Sequence, residues 1–316
     1  MNRPTAVIDK SVLHAICEQP RERLDFYFNN LLERYRLVVP SVLVEEVWVN
    51  LAIPGAKSLE AIANMAECLL HLRDSWIAEP LEIAFAEMVK RESIEILPPP
   101  REEVMNSFFT LRSDNAALAK WVNDRLELRK IITQERIAQQ AAILSPGKFA
   151  RVADERGFFE KFIRVKFFEM LASNERKRNL LEGVLGPTFR TRHPDCSIEI
   201  DAAFDAYSLA TCNSFPVTLN CIMTAMFYFY APLCKIRSPN GKQERKILGR
   251  GFSDQRSNLD DEKYVQSALM CARLLTRDLG MRNVMGLLKA SGLWNGQSVF
   301  LDPKGDLAAQ IPKRLD

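Results

Sequence analysis

The feature that most constrains the fold is the alternation of short apolar strands with helical segments in the first 50 residues. Residues 5–8, with the sequence TAVI, predict a buried strand that ends at Asp9. Apolar residues then recur at helical spacing between about 12 and 35, a second apolar run occupies 37–39, and a further helix follows at 42–50. Because these elements follow one another in this order, we expect a parallel sheet with crossover connections.

The middle of the chain has a different pattern from its two ends. From about 55 to 235 the apolar spacing is helical nearly throughout, and it shows almost none of the alternation that is typical of strands. Strands and helices alternate again towards the end, with helices at about 260–271 and 283–290 and apolar runs at 274–276 and 298–301. The sequence therefore predicts an α/β fold in which a large all-helical insertion splits a small parallel-sheet domain.

Composition restricts the class of protein. Hydrophobic residues make up 47% of the 316 residues and charged residues 26%, which excludes a disordered chain. The net charge of +3 is too balanced for a general nucleic-acid-binding surface, so any basic surface must be local. The seven cysteines are scattered and the three histidines lie far apart in the sequence, which argues against a disulfide framework and a His-rich metal site.

Two further observations concern membranes and the cellular compartment. The first residues lack the apolar run of a secretory signal, and unpaired thiols are typical of the cytoplasm, so we expect a cytoplasmic protein. Residues 215–234 contain no charged side chain and have about the length that a bilayer requires. Because Pro216, Asn220 and Pro232 interrupt this stretch, we interpret it as a buried core helix and expect no membrane association.

Acidic residues occur at matched places in the predicted α/β part. Each follows a predicted strand directly or lies near the start of a helix. Two of the four positions are doublets, and the residues alone leave either member of each doublet open. The four positions are Asp9, Glu46 (or Glu45), Asp261 (or Asp260) and Asp278.

The carboxyl ends of parallel strands meet at one edge of a sheet, so these acids are expected to converge. Carboxylates at close range repel one another unless a cation neutralises them, and Mg²⁺ or Mn²⁺ prefers oxygen ligands of this kind. Each acid also fits a plainer interpretation, as a helix cap, a turn residue or part of a solvated helix face. The residues alone leave both interpretations open.

Four segments, taken in order, resemble the motifs of the PIN-domain nucleases. In the first an Asp ends a strand and a hydroxyl residue follows two positions later, and in the second a strand and one helical turn lead to a Glu. The third opens a helix with an Asp, and the fourth is a closing Thr-x-Asp. The segments are 7–13 (VIDKSVL), 39–47 (VPSVLVEEV), 258–265 (NLDDEKYV) and 274–278 (LLTRD). The resemblance covers residues 1–50 and 254–316 and leaves 51–253 as the helical insertion.

The resemblance implies a Mg²⁺- or Mn²⁺-dependent hydrolase of phosphodiester bonds, most often an endoribonuclease acting on single-stranded or structured RNA. It implies that Asp9, Asp261 and Asp278 bind the metal ion, and that Glu46 holds a metal ion or orients water. The hydroxyls of Ser11 and Thr276 are then expected to fix the carboxylate rotamers. A toxin, an RNA-processing enzyme and a defence nuclease are equally compatible with these residues.

A carboxylate cluster repels phosphate, so such a nuclease needs positive charge near its site. The basic loop 235–253, which ends the helical insertion, runs directly into the third motif and is the best candidate. A solvated loop without function remains the alternative. The expected phosphate contacts are Lys242, Arg245, Lys246, Arg250 and Arg277.

Other functions stay open beside the nuclease. DNA could replace RNA as substrate, because phosphate contacts carry no information about the sugar. A non-catalytic PIN-like scaffold that binds RNA or protein is a second interpretation, and a helical interaction module is a third. An inhibitory or complex-forming partner protein is compatible with all of them, and the sequence indicates no oligomeric state. No Walker-type, dinucleotide-binding or G-x-S-x-G motif is present.

Overall fold

A computed structural model describes ten segments of the chain: 3–53, 59–94, 96–143, 150–151, 173–210, 215–230, 235–237, 244–246, 255–290 and 292–311. The chain forms two compact units. The first consists of Met1–Glu79, Leu97–Arg136 and Arg256–Asp316, and the second of Pro80–Ile96 and Ile137–Gln255.

The described segments contain both strands and α-helices. In chain order the strands are β1 (Thr5–Ile8), β2 (Arg36–Pro40), β3 (Trp76–Ile77), β4 (Ala150–Arg151), β5 (Lys235–Arg237), β6 (Glu244–Lys246), β7 (Arg273–Thr276) and β8 (Gln297–Phe300). The helices are α1 (Lys10–Cys17), α2 (Arg21–Arg34), α3 (Ser41–Ala52), α4 (Leu59–His71), α5 (Pro80–Met88), α6 (Glu102–Ser113), α7 (Asn115–Ile143), α8 (Asn174–Val184), α9 (Gly186–Arg192), α10 (Ser197–Leu209), α11 (Val217–Tyr230), α12 (Gln255–Leu269), α13 (Leu279–Ala290) and α14 (Leu307–Gln310).

The first unit is built on a five-stranded sheet with the order β3-β2-β1-β7-β8, and every pairing in it is parallel. The central strand is β1, in which Val7 lies opposite Val38 of β2 and Leu274 of β7. Val7 and Leu274 are fully buried, as expected for strands covered on both faces. The prediction of an α/β fold with a parallel sheet is therefore confirmed.

The crossover connections are the predicted helices. Helices α1 and α2 connect β1 to β2, and α3 and α4 connect β2 to β3. One side of α1 is buried, including Val12, Leu13 and Ile16. Burial of each such side chain contributes about 2 kcal/mol relative to exposure, so the packing of α1 fixes the position of its first turn.

The first unit is larger than the predicted domain of residues 1–50 and 254–316. Strand β3 pairs with β2 and extends the sheet, and its two residues are too few to show a strand pattern. The indole of Trp48 lies edge-on to Trp76 and to Phe108, at ring-centroid distances of 6.5 and 5.5 Å, and its Nε1 donates to the carbonyl of Phe108. These contacts attach α6 to the unit, because aromatic side chains bury large apolar areas.

The sequence had predicted an all-helical segment at 51–253, but the structure shows strands in it. Besides β3 it contains a second sheet, with the order β4-β5-β6, in which β5 and β6 are antiparallel and Ile236 lies opposite Arg245. The predicted basic loop 235–253 thus includes two paired strands. Their charged residues mask the apolar signal, although Asn240-Gly241 between them is a typical turn sequence.

The second unit is mainly helical in the segments that the structure describes. The ring of Phe85 stacks on that of His193 at 3.7 Å and lies edge-on to Phe189. Arg190 forms ion pairs with Glu182 and Asp201. A further predicted helix, at 154–172, lies outside the described residues.

The charge-free stretch 215–234 contains helix α11. Its side chains Leu219, Ile222 and Ala225 are buried, as predicted for a core helix. Among the residues that the structure describes, no helix has both the length and the apolar character that a bilayer crossing requires.

Candidate functional site

Two of the predicted site residues are neighbours because their strands are neighbours. Asp9 follows β1 and Asp278 follows β7, and the two strands are paired in parallel. The backbone N–H of Asp9 donates to the carbonyl of Leu275 at 3.0 Å, which continues the ladder to the strand end. Both carboxylates therefore lie at the carboxyl edge of the sheet, where ligand sites of parallel α/β folds are found.

A cavity of about 470 Å³ opens at this edge of the first unit. It is lined by residues from the ends of β1 and β7 and from the helices α1, α3 and α12. The lining residues are Asp9, Lys10, Ser11, His14, Ala15, Glu46, Asp261, Tyr264, Arg277, Asp278 and Pro303. One cavity is thus lined by four acids, Asp9, Glu46, Asp261 and Asp278.

Asp9 is held by two hydroxyl groups. Its Oδ2 accepts hydrogen bonds from Ser11 Oγ at 2.7 Å and from Thr276 Oγ1 at 2.6 Å, and its Oδ1 accepts from the backbone N–H of Ser11 at 3.3 Å. The residue is only 7% exposed. Burial raises the pKa of the Asp9 carboxyl above its ordinary value, although the hydrogen bonds from Thr276 and Ser11 act in the opposite direction.

The same hydroxyls also organise the end of β7. Ser11 Oγ accepts from the backbone N–H of Arg277, and Thr276 Oγ1 accepts from that of Asp278, each at 2.9 Å. The carboxylate of Asp278 caps α13, because its Oδ1 accepts from the N–H of Met281 at 2.9 Å. Ser11 and Thr276 therefore join the two strand ends and contact the Asp9 carboxylate.

Glu46 contacts two other residues of the cavity. Its Oε1 lies 2.8 Å from the Lys10 ammonium, and its Oε2 accepts a hydrogen bond of 2.8 Å from the Tyr264 hydroxyl. The neighbouring Glu45 is not part of the cavity lining. It is buried in an ion pair with Arg125 and lies 3.6 Å from the Lys263 ammonium.

The second doublet is divided in the same way. Asp261 is partly exposed and lines the cavity, whereas Asp260 is buried and does not belong to its lining. One turn after Asp261, the buried Tyr264 faces the same cavity. Burial and the nearby Glu46 carboxylate raise the pKa of Tyr264 well above its ordinary value, so its hydroxyl remains a donor.

The predicted phosphate contacts have different positions. Arg277 lines the cavity, and its Nη2 donates to the carbonyl of Pro303 at 2.8 Å. Lys242 and Arg250 lie outside the described residues, and Arg245 and Lys246 are described only through their backbone in β6. All four belong to the second unit.

Sequence reasoning overlooked three polar residues of the cavity. Lys10 follows Asp9 directly, and His14 lies one turn further along α1, where its Nδ1 is 3.4 Å from a Glu18 carboxylate oxygen. Tyr264 stands three positions after Asp261, which places both on one helical face. These spacings were visible in the sequence, but nothing in it indicated that Lys10 and Tyr264 would meet at Glu46.

The donors at the cavity are carboxylate oxygens, which suit a hard divalent cation. Within the described segments, no three or more His, Cys, Asp or Glu side chains are grouped so that they could hold a metal ion. Mg²⁺ usually binds to one or two carboxylates and completes its shell with water and substrate phosphate oxygens. Asp9, Asp261 and Asp278 line one cavity, but among the described residues they do not form a preassembled group of three metal ligands.

Comparisons with models of protein families, with curated proteins and with solved structures gave no significant match to this chain.

Proposed function

We propose that this chain is a Mg²⁺- or Mn²⁺-dependent nuclease of the PIN-like type that hydrolyses phosphodiester bonds of RNA by endonucleolytic cleavage. The observation that carries the proposal is the meeting of Asp9 and Asp278 at adjacent ends of β1 and β7, in a cavity that Asp261 also lines. A sheet edge of this kind with several acids suits metal-assisted hydrolysis.

The residues of the chain have separate roles in this proposal. Asp9, Asp261 and Asp278 would hold the metal ion, which when bound supplies an activated water and neutralises charge that develops on the phosphate. Ser11 and Thr276 keep the Asp9 carboxylate in one rotamer through hydrogen bonds of 2.7 and 2.6 Å. A fixed carboxylate loses less conformational freedom when it binds a ligand, so the hydroxyls act through Asp9.

The decisive experiment is cleavage of end-labelled single-stranded RNA and DNA by the full chain with Mg²⁺, Mn²⁺ or EDTA. Wild type is compared with Asp9→Asn and with Asp74→Asn, a matched control at an exposed acid that does not line the cavity. We expect metal-dependent cutting that Asp9→Asn abolishes and Asp74→Asn retains. Equal cutting by wild type and Asp9→Asn would exclude this cavity as the active site, and the preferred polymer identifies the substrate.

A non-catalytic PIN-like scaffold that binds RNA is the second candidate. The ion pair between Lys10 and Glu46 favours it, because this pair neutralises one acid of the cavity without a metal ion. A scaffold would bind RNA equally well in wild type and Asp9→Asn and would cut it in neither. Binding measured beside the cleavage assay therefore separates the two candidates.

A further inference from the structure

The cavity contains an arrangement that metal-dependent hydrolysis alone does not explain. Tyr264, Glu46 and Lys10 form a chain of contacts, with 2.8 Å from the phenol oxygen to Glu46 Oε2 and 2.8 Å from Glu46 Oε1 to the Lys10 ammonium. The three residues come from α12, α3 and the first position of α1. All three line the cavity beside Asp9, so the chain of contacts ends in a cation next to the acids.

We propose that Lys10 contacts a phosphate group of the nucleic-acid substrate, and that Glu46, fixed by Tyr264, positions Lys10 instead of binding the metal ion. The inference rests on the proposed function, because it assigns roles within the same site. It replaces the expectation that Glu46 holds a metal ion.

Glu46 has a hydrogen-bond donor at both ends of its carboxylate. Each of its carboxylate oxygens already accepts a short hydrogen bond, one of them from a positively charged ammonium. A divalent cation bound to the same carboxylate would lie close to that ammonium, and like charges repel. Glu46 is therefore a poor site for a metal ion as long as Lys10 is in place.

Lys10 is accessible from the cavity and has donor hydrogens beyond the one that contacts Glu46. A lysine ammonium has three donor hydrogens, and the contact with Glu46 uses one of them. The side chain is 22% exposed and lines the cavity, so it is accessible to a ligand. Lysine is a common phosphate contact, and here it lies beside carboxylates that would otherwise repel a phosphodiester.

Arg277 also lines the cavity, and unlike Lys10 it was predicted from the sequence to bind phosphate. The Arg277 guanidinium donates to the backbone carbonyl of Pro303, so part of its donor set serves the fold. The partner of Lys10 is a carboxylate that Tyr264 holds from its other oxygen, and this contact fixes the ammonium without covering it.

Two measurements test the roles separately. RNA affinity is measured in EDTA, where no metal ion contributes, by fluorescence anisotropy with a short single-stranded RNA over a series of KCl concentrations. Mn²⁺ affinity is measured without RNA, from the electron paramagnetic resonance signal of the free ion. The variants are Lys10→Met, Lys10→Arg, Glu46→Gln and Asp278→Asn, each checked for folding by circular dichroism.

For RNA, we expect Lys10→Met to lower the affinity by about tenfold, corresponding to one charge-assisted hydrogen bond. The slope of log affinity against log salt should fall by about 0.7, which corresponds to one phosphate contact on a single strand. Lys10→Arg should keep the wild-type slope. An unchanged slope in Lys10→Met, or no RNA binding by wild type, overturns the phosphate contact. If Lys10→Met does not fold, Lys10→Gln replaces it.

For Mn²⁺, we expect Asp278→Asn to lose at least about tenfold in affinity, whereas Glu46→Gln stays within about threefold of wild type. Lys10→Met should bind Mn²⁺ more tightly, because a positive charge is removed and Glu46 is released. A loss in Glu46→Gln as large as that in Asp278→Asn makes Glu46 a metal ligand and overturns its positioning role. If wild type binds no Mn²⁺, the proposed nuclease function fails, whereas the RNA measurement in EDTA still decides the role of Lys10.

Discussion

Replacing Thr276 by Val should weaken both the fold and the site, because the buried hydroxyl makes two hydrogen bonds. Thr276 is fully buried, and its Oγ1 donates to the Asp9 carboxylate at 2.6 Å and accepts from the N–H of Asp278 at 2.9 Å. A hydrogen bond to a charged group contributes about 1.5–3 kcal/mol and a neutral one about 0.5–1.5 kcal/mol. Since valine has nearly the same shape, we expect the free energy of unfolding to fall by about 2–4 kcal/mol.

The chain offers a selective assay for this loss. All four of its tryptophans lie in the first unit, at Trp48, Trp76, Trp121 and Trp294. Tryptophan fluorescence during urea denaturation therefore follows the unit that contains Thr276. The matched control is Thr276→Ser, which keeps the hydroxyl and removes only a methyl group, at a cost of about 1 kcal/mol.

The Thr276→Val substitution should also change metal binding. Loss of the Thr276 hydrogen bond removes an interaction that lowers the pKa of Asp9, so the carboxyl becomes easier to protonate and binds Mn²⁺ less tightly near neutral pH. Thr276→Ser should retain Mn²⁺ binding. A Thr276→Val variant as stable as Thr276→Ser, with the Mn²⁺ affinity of wild type, would refute the role of the hydroxyl in holding Asp9.

Three further predictions concern other parts of the first unit. The pKa of Asp9 is raised in the folded state, so this group contributes stability at low pH that is lost as the pH rises through its folded-state pKa. The thermal midpoint of Asp9→Asn should therefore rise relative to that of wild type as the pH increases from acidic to neutral. A rise of the wild-type midpoint relative to that of Asp9→Asn would contradict the burial effect. Arg125→Met removes an ion pair of the buried Glu45 carboxylate, which still has the Lys263 ammonium at 3.6 Å, and should lower the free energy of unfolding by about 3 kcal/mol in urea denaturation. No change would show that water already compensates that carboxylate. The sulfurs of Cys17 and Cys68 lie 3.8 Å apart, so mild oxidation with hydrogen peroxide should join them in a disulfide that peptide mass spectrometry detects in wild type. Cys17→Ser is the negative control, and absence of the disulfide in wild type would contradict the packing of α1 on α4.

The positions of β1, β2, β7 and β8 and the meeting of Asp9 with Asp278 could be predicted because both follow from local rules. A short apolar run that ends at an acid marks a strand end, and adjacent parallel strands bring their ends together. The choice of Glu46 and Asp261 as the cavity-facing members of their doublets likewise agrees with helical spacing from the neighbouring apolar positions.

The remaining features depend on contacts between distant parts of the chain. Strand β3 has two residues, and the contact of Trp48 with Phe108 spans 60 positions, so no periodicity marks either as part of the first unit. The contact between Tyr264 and Glu46 spans 218 positions. The sequence shows that Glu46 carries a charge, but it does not show that Lys10 and Tyr264 lie within 2.8 Å of its carboxylate oxygens.

The order of the strands has a consequence for synthesis of the protein. Strand β1 is made first, yet one of its two partners in the sheet is β7, and 267 residues separate Asp9 from Thr276. At about 5–20 residues per second, a ribosome needs roughly 10–50 s to make the intervening chain. During that interval Asp9 lacks the hydroxyl of Thr276 and the neighbouring Asp278. The nascent chain therefore cannot assemble the cavity until β7 and the residues that follow it have been synthesised.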